Sequence, residues 1–214
     1  MSSSSFGSGA AMASDQRRRA LTWGAATRTC AGEAEIGDVF VVARNRGGTL
    51  LAAIDGAGHG VEAARAANTA AAIVGGYVDR DLPRLLVRCH EALRRTRGAA
   101  VSIAFLPDGG SLMTWLGIGN VEARVFGGNR ANAQPRGALR LASGVLGHGL
   151  PAVTPQTLEL HRGDVLVFTT DGIHPSFLET LRLSGSAQQI AERLVHDHSK
   201  PNDDGLVLVV RYLG

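Results

Sequence analysis

From Leu21 onward, apolar and polar residues follow a readable pattern. Residues 21–30 alternate loosely, the spacing of a strand with one buried face. Two apolar runs follow, Val39–Ala43 and Leu50–Ile54, and Asn45-Arg46-Gly47-Gly48 between them is a hairpin turn signal. After Gly60 the period lengthens. Ala63, Ala66, Ala67, Ala70, Ala71 and Val74 form one stripe of a helix, which Gly75-Gly76 ends. Leu82, Leu85, Leu86, Cys89 and Leu93 stripe a second helix, with Pro83 in its first turn, where a missing N–H costs nothing. Strands are then expected over 99–106, 111–118, 121–126, 138–142, 156–160 and 164–170. Pro107-Asp108-Gly109-Gly110 marks a hairpin between the first two. A third helix is expected over about 176–182 and a fourth from Ser186, where Gln189 completes a capping box. An apolar strand, Leu206–Tyr212, closes the chain.

Two consecutive helices between blocks of hairpin-joined strands disfavour a doubly wound parallel sheet. Antiparallel sheets covered by helix pairs fit better. At 214 residues the chain is long enough for one domain, expected over 20–214, with residues 1–19 a flexible Ser/Gly/Ala tail. Arg17, Arg18 and Arg19 read as a solvated basic turn.

Composition excludes several classes. With 44% hydrophobic and 19% charged residues, the chain is neither disordered nor a coiled coil. No run of 18 apolar residues suggests a membrane helix, and a net charge of +3 is too mild to imply nucleic acid. Cys30 and Cys89 are too few for a cysteine-rich zinc site, and with no secretory leader in the tail a reduced, cytoplasmic compartment is expected. Trp23, Trp115 and Cys89 are expected in the core. His196 and His198, flanking Asp197, read as exposed histidines favoured by a helix C-terminus.

The aspartates carry the chemistry. Asp38 opens a strand; Asp55 and Asp171 end strands, each followed by glycine; Asp203 and Asp204 precede the last strand. A carboxylate at the end of a core strand is costly to desolvate unless paired or metal-bound. Several carboxylates without thiolates describe a hard-oxygen site, suited to Mg²⁺ or Mn²⁺. The competing reading of Gly56-x-Gly58-x-Gly60 is a dinucleotide loop. It lacks the G-x-G-x-x-G fingerprint, because residue 61 is Val, and a helix rather than a strand follows its helix.

Asp38 in Gly-Asp, Asp55-Gly56-x-Gly58-His59-Gly60, Thr170-Asp171-Gly172 and Asp203-Asp204 resemble, in this order, the metal-dependent protein phosphatases (PPM, protein phosphatase 2C-like). The likeness is greater to the SpoIIE/RsbU branch, and greater still to the small RsbX-type phosphatases. There, Cys89–Leu93, Arg97–Ser102 and Gly119-Asn120-Val121 look like counterparts. The resemblance spans about residues 25–212. It implies an α+β fold, a four-layer α-β-β-α sandwich of two antiparallel sheets between helix pairs. It implies two Mn²⁺ or Mg²⁺ ions: Asp55 bridging both, the Gly56 carbonyl on one, Asp171 and Asp203 on the other, and Asp38 acting directly or through water. Asp203 is chosen over Asp204 by its place in the motif, and because neighbouring side chains on an extended chain point oppositely.

The implied reaction is hydrolysis of phosphoserine or phosphothreonine on a signalling regulator, such as a phosphorylated STAS-domain protein of a stressosome-type pathway. Some positions depart from the pattern. Ala57 stands where eukaryotic members carry a histidine acid, Leu206 where a threonine is expected, and no arginine matches their phosphate-gripping one. His59 is expected to organise the loop and helix start, with a general-acid role as the alternative; Asn120 is expected to be a turn residue, and Ser143–Pro155 a recognition loop. The alternatives are a weak or inactive binding module on the same fold, and a nucleotide-binding protein using the glycine loop.

Overall fold

The computed structural model describes residues 20–127 and 135–214. The expected tail over 1–19, with Arg17–Arg19, lies outside the described residues. The elements run β1 (Leu21–Arg28), β2 (Asp38–Asn45), β3 (Gly48–Gly56), α1 (Val61–Gly75), α2 (Leu82–Leu93), β4 (Ala99–Pro107), β5 (Leu112–Ile118), β6 (Glu122–Phe126), β7 (Pro135–Ala138), β8 (Gln156–Glu159), β9 (Val165–Thr169), α3 (Phe177–Thr180), α4 (Ala187–His198) and β10 (Gly205–Tyr212).

They form two five-stranded antiparallel sheets, ordered β1-β10-β9-β6-β7 and β2-β3-β4-β5-β8. Three apolar layers hold four layers of structure together. Leu51, Phe168 and Leu208 lie among the side chains between the sheets. Ile54, Val101 and Ile103 pack outward against Ala66, Ala70 and Leu85 of α1 and α2. Val167 and Val209 pack outward against Ile190 and Leu194 of α4. This is the expected α-β-β-α sandwich. It follows from β3, β4 and β10 being apolar on both faces, since a strand that alternates can cover only one.

The local signals that set the helices also hold. Asp81 accepts from Arg84 N at the start of α2, next to Pro83 in the first turn. Ser186 and Gln189 form the reciprocal capping box of α4.

Two expectations are corrected. The strand expected over 138–142 instead lies at Pro135–Ala138. Beyond it the chain crosses between sheets: Leu139 N donates to Ala123 O on one sheet, and Ala142 N donates to Gly117 O on the other. The apolar Leu139 and Leu141, which suggested a strand, fill the inter-sheet layer during that crossing. Trp23 is not core; it is 45% exposed on the edge strand β1, its ring 5.5 Å from Phe40 of the other sheet. Trp115 and Cys89 are buried. The third helix is a single turn.

Candidate functional site

The sheets bring the aspartates to one end of the sandwich. Asp38 and Asp55 are direct partners in the antiparallel register of β2 and β3. Asp171 follows β9, and Asp203 precedes β10, its neighbour in the other sheet. Asp55, Asp171 and Asp203 line a cleft of about 440 Å³, together with Asn120, His59 and Val145. Asp38 lies behind it, nearly fully buried, its Oδ2 accepting from Thr170 Oγ1 at 2.7 Å. Thr170 Oγ1 in turn accepts from Leu206 N at 2.9 Å, so one hydroxyl joins the two sheets beneath the cleft. Gly56 is buried, and a Cβ there would meet the Ala63 carbonyl oxygen at 2.1 Å. Only glycine lets the first turn of α1 close onto the end of β3.

Asp203 and Asp204 part company. Asp204 is buried, with Oδ1 accepting from Cys30 N at 2.7 Å and Oδ2 from Gly37 N at 2.8 Å. Both its oxygens are committed to the loop between β1 and β2. Asp203 faces the cleft, and among the described residues it accepts only from Asp204 N, at 3.0 Å.

The electrostatics record the crowding. Burial, reinforced by Asp55, pushes Asp38 up to about 8 despite the Thr170 hydrogen bond. Burial, then Asp171, pushes Asp55 up to about 7, while the Asn120 amide works the other way. Asp203 is raised by burial and by Asp171, with Lys200 opposing. Such a cluster favours protons or cations at neutral pH, and its oxygen-only character suits Mg²⁺ or Mn²⁺. No three acidic, histidine or cysteine side chains among the described residues already ring a point where an ion would sit. Ions of this type keep several waters rather than requiring an all-protein cage.

Three residues join the site that sequence reasoning passed over or left as scaffold. Asn120 Nδ2 donates to Asp171 Oδ2 at 2.6 Å. Lys200 Nζ donates to the Asp171 carbonyl at 2.6 Å. Glu33 Oε1 lies 2.6 Å from His59 Nδ1. Only Asn120 had a local signal, its place after Gly119 (φ 92°) between two strands. His196 and His198 stay apart: His196 pairs with Asp197, and His198 bonds Ser176 and Thr180. Of the loop 143–155, Val145 reaches the cleft, and Gly147 N donates to His90 Nδ1 of α2 at 3.1 Å.

Known proteins resemble this chain in sequence and in fold. The model of the stage II sporulation protein E (SpoIIE) family matches residues 45–213. The phosphoserine phosphatase RsbX of Bacillus subtilis is 24% identical over 174 residues, covering 81% of this chain and 85% of RsbX. A chain from a structural study of the bacterial stressosome, described as a modular system adapted to control secondary messenger signalling, is 28% identical. It superposes with a TM-score of 0.79 over 89% of this chain and 99% of its own. The crystal structure of RsbX in complex with magnesium superposes with a TM-score of 0.79 at 20% identity, over 92% and 98% of the two chains.

Two outcomes follow from the site's physics. Asp38 and Asp55 hold protons more tightly when folded than when unfolded, so their contribution to stability is present at low pH and is lost as pH rises toward 7–8. In EDTA, the melting temperature is expected to fall between pH 5 and pH 8, and Mn²⁺ to restore it at pH 8; a flat profile in EDTA contradicts the assignment. Asp204→Ala is expected to destabilise the fold by about 1–3 kcal/mol for each buried amide it orphans, read by urea denaturation.

Proposed function

Because the chain belongs to the SpoIIE family, we propose that it is a metal-dependent serine/threonine protein phosphatase. The observation that carries this reading is the meeting, in one cleft, of strand-end carboxylates from both sheets, with burial and mutual repulsion raising Asp38, Asp55 and Asp203. The oxygen-only donor set suits divalent ions of the Mn²⁺ or Mg²⁺ kind, and two are proposed. Asp55 would bridge them, the Gly56 carbonyl would serve one, Asp171 and Asp203 the other, and Asp38 would act directly or through water. Bound there, the ions would make hydroxide available from water near neutral pH and neutralise charge on the phosphoryl oxygens.

The chain's own residues do the positioning. Asn120 fixes the Asp171 carboxylate, Lys200 holds its backbone, and Thr170 orients Asp38. Neighbours that orient a ligand in this way typically contribute about 10–100-fold to metal affinity or activity. No covalent intermediate is required, consistent with a cleft that offers no serine or cysteine nucleophile among its lining residues. The substrate proposed is phosphoserine or phosphothreonine on a STAS-domain or related regulator, in a stressosome-type partner-switching pathway in the cytoplasm. It is supported by the likeness to RsbX, described as a phosphoserine phosphatase, and to the stressosome-associated chain. No helix among the described residues is long and apolar enough to cross a membrane. Ala57, in place of the expected acid, keeps a second reading: a catalytically weak binding module on the same fold.

The test is hydrolysis of a generic phosphate ester with Mn²⁺ and then with EDTA, in wild type, Asp55→Asn and Asp171→Asn. Turnover is expected only in the wild type with metal, each variant losing more than about 100-fold, beyond the scale on which neighbours of a metal ligand act. Near-normal activity in a folded Asp55→Asn protein overturns the metal assignment. Manganese binding without turnover by the wild type favours the binding module.

A further inference from the structure

The glycine loop after β3 and the loop after β1 meet beside the cleft, and they meet through two side chains. His59 lines the same cleft as Asp55, and its Nδ1 lies 2.6 Å from Glu33 Oε1. The loop that carries Glu33 is tied down. Glu33 N donates to Cys30 O at 3.1 Å, and the amides of Cys30 and Gly37 on either side are both held by Asp204. Residue 60 makes room for the carboxylate: Gly60 has φ 74°, and a Cβ there would stand 2.6 Å from Glu33 Oε2. A side chain at position 60 would force the Glu33 carboxylate to shift. With Nδ1 engaged by Glu33, Nε2 is the imidazole nitrogen that has no partner among the described residues.

We propose that His59 is the general acid of the reaction, protonating the departing seryl or threonyl oxygen, and that Glu33 is its positioning residue. This inference rests on the phosphatase reading above. An alkoxide is a strong base and a poor leaving group, and a positioned acid accelerates its departure by about 10²–10⁴-fold. The other lining side chains do not supply that proton. Asp55, Asp171 and Asp203 are assigned to the ions, the Asn120 amide is spent on Asp171, and the rest are Gly, Ala and Val. The step balances. The water oxygen bonds to phosphorus as the P–O bond to the side chain breaks, its electron pair going to the seryl oxygen. That oxygen takes the Nε2 proton and leaves as the alcohol. The proton released by the water returns to the imidazole through solvent, and the products are the free hydroxyl and hydrogen phosphate. A carboxylate on the far nitrogen fixes ring orientation in the manner of other acid–base pairs. Ala57 then marks a relocated acid rather than a missing one: the imidazole enters from two residues further along the same loop.

The test separates an acid from a loop organiser by leaving group. Wild type, His59→Gln and Glu33→Gln are assayed with Mn²⁺ on p-nitrophenyl phosphate, whose leaving group needs no proton, and on phenyl phosphate and a phosphoserine peptide, whose leaving groups do. His59→Gln is expected to lower kcat about 100-fold on the latter two, and to change p-nitrophenyl phosphate turnover only a few fold. Glu33→Gln shows the same selectivity at smaller size. Calorimetric Mn²⁺ affinity is expected to be unchanged in both variants. Equal losses on all substrates, or losses that track weakened Mn²⁺ binding, overturn the acid role in favour of loop organisation; no loss on any substrate also overturns it. A wild type that turns over none of the three with Mn²⁺ overturns the phosphatase reading itself, and that result is visible without either variant.

Discussion

Like charges in a poorly solvated place are the constraint around which this end of the molecule is arranged. Asp38 and Asp55 face each other across a strand pair, and Asp171 and Asp203 are carried by the opposite sheet. Left alone, such carboxylates are relieved by protonation, by moving apart or by a cation. Burial and mutual repulsion raise Asp38 to about 8 and Asp55 to about 7, so protons and cations compete for this site near neutral pH. The surrounding hydrogen bonds hold the cluster against its own repulsion. Thr170 restrains Asp38, Asn120 restrains Asp171, and Lys200 pins the backbone that carries it.

Adjacent aspartates have been given opposite work. Asp203 belongs to the cleft; Asp204 belongs to the scaffold, where it gathers the amides of Cys30 and Gly37. Through that loop the scaffold aspartate also decides where Glu33 stands, and so which way the His59 ring turns. One dipeptide therefore shapes both the acidic floor of the cleft and the setting of the His59 imidazole.

Much of this was legible in the chain, and the reasons are physical. Strands apolar on both faces, such as Leu50–Ile54, announce a sandwich with helices outside, and the alanine stripe of α1 announces close packing on such a sheet. Aspartates at strand ends next to glycine mark a polar site at the rim of a core. What escaped depends on distance along the chain. Nothing near Glu33 signals a partner 26 residues away, and nothing near Lys200 signals the Asp171 carbonyl 29 residues back. Trp23 and the segment 138–142 misled because apolar content was read as burial or as strand. An edge strand leaves Trp23 half in solvent, and a chain passing between two sheets buries Leu139 and Leu141 without forming a ladder there.

The single apolar layer between the sheets has a metric role as well as an adhesive one. Each sheet carries half of the carboxylates, so the gap across the cleft is set by the thickness of that layer, by side chains such as Leu51, Phe168 and Leu208. Protein interiors are close-packed and yield little to added or missing volume. The interior of the sandwich is thus the gauge block of its acidic mouth. A methyl group gained or lost deep between the sheets would be felt in the spacing of the oxygens at the rim.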